Sequence, residues 1–318
     1  MERKEVDSMY MLEEILENWF ITKPYNIKEI NVTRYENRNN AWIVNEIYVL
    51  KRFANPDYMN RGIEITKALA SEGIPVAVPV KTKEQSDYCL IDNEYFCLYP
   101  RLEGKGLCEH FKGHYLQRAK YLGQIIGDLH LAFVKCENII SCHENNLLEH
   151  VANWAIPTVK KFAEERGILI CDALINHYKS GFKDIYKKLP RQIIHRDMHG
   201  QNLLFENERF TGYVDFDLSQ RNVRIFDPCY MSTGILSGCF EDVDKREQWI
   251  SIFKNIIEGY DKLCILSYEE KKAIIYVMYS IQFIFIAYFA NNGYQQLAES
   301  NIKILNWIYE NRNRLEVL

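Results

Sequence analysis

Between Ile193 and Asp217 the chain reads IIHRDMHGQNLLFENERFTGYVDFD. Two apolar, strand-like runs enclose His195, Asp197, His199 and Asn202, and the second run ends on Asp215 and Asp217. Groups with this hydrogen-bonding and metal-binding chemistry are costly to hold beside strands unless something engages them. The stretch is therefore read as an active site built on a short hairpin, and the fold must supply whatever completes it.

With 318 residues the chain can form one large domain or two lobes. A formal net charge of −4 gives no electrostatic reason to expect a nucleic-acid partner, so any phosphate-bearing ligand has to be held locally. Nine cysteines without a CxxC pair suit reduced thiols better than a disulfide framework. Cys136, Cys142 and His143 match no zinc spacing. The first twenty residues lack the apolar core and cleavage site of a signal peptide, so a cytoplasmic location is expected. The apolar run from Ala273 to Ala290 is interrupted by Ser280, Gln282 and tyrosines, and is read as a buried core helix with no membrane partner.

In chain order, the spacing predicts a helix over Met11 to Phe20, then strands over Ile27 to Tyr35, Ala41 to Val44 and Ile47 to Phe53. A helix over Asp57 to Glu72 closes at Gly73, and strands over Tyr88 to Ile91 and Tyr95 to Leu102 are joined by Asp92-Asn93 as a tight turn. The glycines between Arg101 and Gly113 place a boundary there, giving lobes of residues 1–102 and 103–318. Beyond it helices are expected over Tyr115 to Val134, Leu147 to Glu165, Cys171 to Lys188, from Pro228, and over Asp244 to Tyr260, Tyr268 to Ala290 and Gln295 to Arg314. The fold class is thus α+β, with a five-stranded antiparallel sheet and one helix in the small lobe and a mainly helical larger lobe.

Phosphoryl transfer needs a carboxylate near the acceptor hydroxyl, oxygen ligands for magnesium and a cation on the nucleotide phosphates. Asp197 and Asn202 lie five residues apart in a loop, Asp215 follows thirteen residues later, and a hairpin would gather all three. The spacing HxDxxxxN, with a later apolar-Asp-Phe, is long enough to be a specific signal.

HRDMHGQN followed by VDFD resembles the catalytic and magnesium motifs of the kinase superfamily, and specifically of the aminoglycoside phosphotransferase, choline kinase and homoserine kinase-like family, over nearly the whole chain. The resemblance implies a two-lobed protein-kinase-like fold and transfer of the γ-phosphate of ATP or GTP, with Mg2+, to a hydroxyl of a small molecule such as an amino alcohol or aminoglycoside. Asp197 would be the catalytic base, and Asn202 and Asp215 the metal ligands. YVLKRF looks like the strand bearing the phosphate-binding lysine, here Lys51, with Glu64 as its ion-pair partner and Glu72 as runner-up. Glu36 to Asn39 is similar to the family's nucleotide loop, and Tyr99 to Arg101 fall at the adenine-binding hinge. Asp227 resembles the aspartate that braces the catalytic loop, and His195 a residue that supports it. Arg196 stands where small-molecule members usually have glycine.

Asp217 either adds a carboxylate to a cationic acceptor's site or caps a turn. The short connection from Asp217 to Asp227 has no room for an activation loop, which speaks against a protein substrate. A catalytically silent nucleotide-binding or spore-coat-type protein is the alternative; the sequence leaves the oligomeric state open.

Overall fold

The computed structural model describes residues 11–30 and 40–317. The expected nucleotide loop at Glu36 to Asn39 lies outside the described residues. The described chain divides into two compact units.

In the first unit, helical residues 11–16 (α1) precede a five-stranded antiparallel sheet in the order β1-β2-β3-β5-β4. Its strands are β1 (Ile27–Glu29), β2 (Ala41–Val44), β3 (Tyr48–Phe53), β4 (Cys89–Ile91) and β5 (Glu94–Pro100). Asn45-Glu46 and Asp92-Asn93 turn the chain with both residues at positive φ, the geometry that matches the twist of two-residue hairpins. Alternation along the strands separates two cores. Leu50, Phe96 and Leu98 face Leu12, Ile15, Leu16 and Trp19. Phe53 and Cys97 face Met59 and Ile63 of α2 (Pro56–Ser71). Lys51, opposite Cys97 in register, has the parity of Phe53 and therefore stands on the α2 face. Helix α2 starts with Pro56 in its first turn behind Asn55, whose side chain accepts from Asp57 N at 2.8 Å.

The boundary differs from the expected division at residue 102. The first unit runs to Gly106 and takes back Asn138–Ser141 and Asn202–Leu218. Pairing explains the return. Strand β6 (Lys105–Gly106) pairs with β8 (Leu203–Glu206), β8 pairs with β9 (Arg209–Tyr213), and Tyr213 N donates to Pro75 O at 3.0 Å.

The second unit is mainly helical. Its helices are α3 (Tyr115–Cys136), α4 (Leu147–His150), α5 (Ile156–Arg166), α6 (Asp172–Tyr186), α7 (Phe226–Cys239), α8 (Val243–Leu263), α9 (Tyr268–Asn291) and α10 (Gln295–Glu310). Strands β7 (Arg191–Ile194) and β10 (Gln220–Val223) pair antiparallel among them. Helix α9 is long and apolar enough to cross a membrane, but 67% of its most apolar window is buried in the protein, as expected of a core helix. It begins with a capping box between Ser267 and Glu270.

The helix expected over Leu147 to Glu165 is broken by a wide π turn, Val151–Ala155. Pro157 is the physical reason: it has no N–H for the carbonyl of Asn153, and its ring would clash there in a regular helix.

Helices α3 and α8 touch backbone to backbone. A Cβ at Gly123 would overlap Ile256 O, and one at Gly259 would overlap Lys120 O. Gly259→Ala should therefore force the helices apart and cost about 1–3 kcal/mol. Chemical denaturation reads the loss; an unchanged midpoint would contradict the backbone contact.

Candidate active site

The hairpin β8–β9 turns through Asn207-Glu208, both at positive φ, and its open end carries Asn202 on one side and Asp215 on the other. Val214 N donates to Asn202 O at 3.1 Å, which ties the two ends together. Asp215 adopts φ +69°, a left-handed conformation that aspartate tolerates better than most residues. Lys51 meets this hairpin. Its Nζ lies 2.7 Å from Asp215 Oδ1 and 2.5 Å from Asp217 Oδ2, and 5.0 Å from the centre of the Phe53 ring.

Burial works against the lysine's charge, but the two carboxylates outweigh it and hold its pKa above the ordinary lysine range. Because two carboxylates share one ammonium, burial and the neighbouring Asp215 push Asp217 up to about 6 against the pull of Lys51, which leaves it mostly ionised at neutral pH.

Lys51 thus meets Asp215, as phosphate and metal chemistry would require. Glu64 is not its partner, since none of the ion pairs of Lys51 goes there. Glu72 is exposed at the C-cap of α2. The Asp217 carboxylate is on Lys51. Tyr99 is half-buried on the Lys51 face of β5, packed against the Phe53–Cys97 cluster. Arg101 N donates to Ile47 O at 2.8 Å, extending the β3–β5 ladder, and its guanidinium reaches Glu46. The Arg101 amide is therefore already used, and the hinge role expected of it does not fall on that group.

Asn202 and Asp215 are both oxygen donors, the type a hard divalent cation takes, and the carboxylate already faces a cationic nitrogen. Among the described residues no group of three His, Cys, Asp or Glu side chains could hold a metal ion. The donor chemistry of Asn202 and Asp215 fits a hard divalent cation whose remaining ligands come from outside the protein.

Asp197 belongs to the second unit. Strands β7 and β10, with Ile194 opposite Gln220, hold the start of its loop. Tyr230 OH on α7 donates to Asp197 Oδ1 at 2.6 Å, and His199 Nε2 lies 3.4 Å from Asp197 Oδ2. Burial alone would raise the Asp197 pKa, but His199, the Tyr230 hydroxyl and the charge of His195 outweigh it and hold the carboxyl well below the usual carboxylate range. Burial and the Asp197 charge raise the Tyr230 phenol, so Tyr230 stays a donor.

Asp227, fully buried in the first turn of α7, braces the loop as expected. Its Oδ2 accepts from His195 N at 2.8 Å and from His130 Nε2 at 2.9 Å, and its Oδ1 accepts from Arg196 N at 2.9 Å. His130 Nδ1 lies 2.7 Å from Tyr260 OH, so the Nε2–H tautomer satisfies both neighbours. His130, Tyr230 and Tyr260 were not legible beforehand: each lies on the buried face of its helix, where its spacing is that of an ordinary core residue.

Arg196 has φ +74°, strained for a residue with a Cβ, and its guanidinium stacks 4.8 Å from the centre of the Phe226 ring. Both Arg196→Ala and Arg196→Gly lose the stacking, but only alanine keeps the strain, so it should be less stable than Arg196→Gly by about 0.5–1 kcal/mol. Thermal unfolding of the pair decides; equal stability would mean that the backbone strain is relieved some other way.

The profile of the phosphotransferase enzyme family matches residues 32–246, about two thirds of the chain. The chain belongs to that family. Homoserine kinase of Zymomonas mobilis subsp. mobilis is 24% identical over 233 residues, covering 70% of this chain and 67% of that protein. Homoserine kinase of Polaromonas naphthalenivorans is 27% identical over 175 residues, covering 52% of this chain and only half of that protein. Among solved structures, a microcompartment-associated aminopropanol kinase superposes with a TM-score of 0.71 at 13% identity, covering 98% of this chain and 100% of the other. Amicoumacin kinase in complex with AMP-PNP and Ca2+ gives 0.67 at 14% identity, covering 97% and 95%. At such identities the structures speak for the fold, which is the kinase-like one expected of the phosphotransferase family.

Proposed function

We propose that this phosphotransferase moves the γ-phosphate of ATP to the hydroxyl of a small amino alcohol or hydroxy amino acid, with GTP as the alternative donor. The observation that carries the reading is the Lys51–Asp215 ion pair at 2.7 Å, which joins a strand lysine to the aspartate of the VDFD motif across 164 residues of sequence. Lys51 would bind nucleotide phosphates, while Asp197, ionised and oriented by Tyr230, would accept the proton of the acceptor hydroxyl. Asn202 and Asp215 would hold magnesium, which supplies charge neutralisation on the phosphates when bound.

The acceptor class is supported by the relatives, which are homoserine kinases, and by the aminopropanol kinase among the structural neighbours. The segment from Asp217 to Asp227 is occupied by β10 and its flanking turns, which favours a small acceptor over a protein. Nine free cysteines, five of them buried, fit work in the reducing cytoplasm.

The test is ADP release with Mg-ATP against homoserine, aminopropanol, choline and aminoglycosides. Release that depends on an acceptor and disappears in Asp197→Asn is expected. Tight nucleotide binding without turnover on any acceptor would favour a silent binding protein instead.

A further inference from the structure

We propose that Asp217, and not Glu64, is the carboxylate that keeps Lys51 in its phosphate-binding position. The inference rests on the nucleotide-site reading above and concerns which residue positions the lysine.

Two carboxylates reach Lys51 Nζ. Asp215 shares the open end of the hairpin with Asn202, so on the reading above its oxygens would be shared with the metal. The geometry of Asp217 is that of an anchor. Its backbone carbonyl accepts from Arg61 Nη1 of α2 at 3.1 Å, while the Arg61 guanidinium stacks 5.5 Å from the centre of the Tyr58 ring. The next residue of α2 is Gly62, where a Cβ would stand 3.2 Å from Asp217 Oδ1. Helix α2 thus offers the hairpin a notch without a side chain, and the carboxylate of Asp217 occupies it.

Helical geometry then disposes of Glu64. Successive residues turn by about 100°, so position 64 lies about 200° around the helix from position 62. If Gly62 faces Asp217, Glu64 points to the opposite side. The acid that the kinase pattern would take from the helix is supplied here two residues beyond the metal-ligand aspartate, and the helix contributes space and the Arg61 hydrogen bond. Asp217 is accordingly a positioning residue: it acts through Lys51.

The experiment is calorimetric titration of the full-length protein with ADP, once with EDTA and once with magnesium, on wild type, Asp217→Asn, Asp217→Glu and Glu64→Gln. Asp217→Asn should weaken ADP at least about tenfold in both conditions, because an ammonium that has lost its anchor binds phosphate poorly with or without metal. Asp217→Glu should recover part of the loss, and Glu64→Gln should stay within about threefold of wild type. A loss confined to the magnesium titration would make Asp217 a metal ligand and overturn the proposal, as would a larger effect at Glu64. Should Asp217→Asn fail to fold, Gly62→Ala pushes a methyl towards Asp217 Oδ1 without removing a charge. It should weaken ADP several-fold at unchanged helix content, and wild-type affinity in that variant would equally overturn the assignment. Wild type that binds neither ADP nor GDP would instead refute the nucleotide-site reading itself.

Discussion

Asp197→Asn lowers kcat by about 10²–10⁴-fold and leaves nucleotide affinity close to wild type. The substitution keeps an oxygen for the hydrogen bond from Tyr230 OH, which stands 2.6 Å from Asp197 Oδ1, and removes only the ability to take a proton. Because His199, Tyr230 and His195 hold the carboxyl well below the usual range, the wild-type carboxylate should be ionised around neutral pH. Loss of activity on the acidic side should therefore not trace to Asp197. Steady-state ADP release and a separate nucleotide titration read the two halves of the prediction, and a near-normal kcat would remove Asp197 from the role of base.

Asp227→Ala destabilises the protein by about 3–5 kcal/mol. The carboxylate is fully buried and accepts three hydrogen bonds, from the backbone of His195 and Arg196 and from His130. Alanine would strand all three donors in the interior, where each unsatisfied group costs about 1–3 kcal/mol. His130 would also lose the acceptor that fixes its tautomer towards Tyr260. A fall in Tm of roughly 6–20 °C is expected on this scale. A loss below about 1 kcal/mol would mean that the loop is held by something other than Asp227.

The parts of the fold that could be read in advance are those whose signal is local. Asp92-Asn93 declares a hairpin because few residue pairs accept positive φ twice in succession. The HxDxxxxN and VDFD segments carry their spacing within one loop and one hairpin, and Lys51 stands in the strand where the pattern puts it. What escaped depends on how elements are rotated and brought together. The buried positions of α2, from Met59 and Gly62 through Ile63, Ile65, Thr66, Ala68 and Leu69, wrap far around the helix, so its burial pattern does not say which side faces Lys51. Glu64 and Asp217 are told apart by the ion pairs of Lys51 and by the close approach of Gly62. Tyr230 and His130 are polar tips on the buried faces of their helices, indistinguishable in sequence from ordinary core residues. The return of Asn202–Leu218 to the first unit follows from strand pairing with Lys105–Gly106, too short a strand to show in any pattern.

That return sets a timetable for synthesis. Lys51 and Asp217 are separated by 166 residues, so at roughly 5–20 residues per second the ammonium of a nascent chain precedes its anchor by about 8–30 s. During that interval the α2 face of the sheet must keep the lysine hydrated, and the edge formed by Lys105–Gly106 has no strand to pair with. The first unit therefore cannot finish folding as it emerges from the ribosome. A fragment ending at Gly106 should behave as an open, protease-sensitive intermediate until the hairpin is supplied.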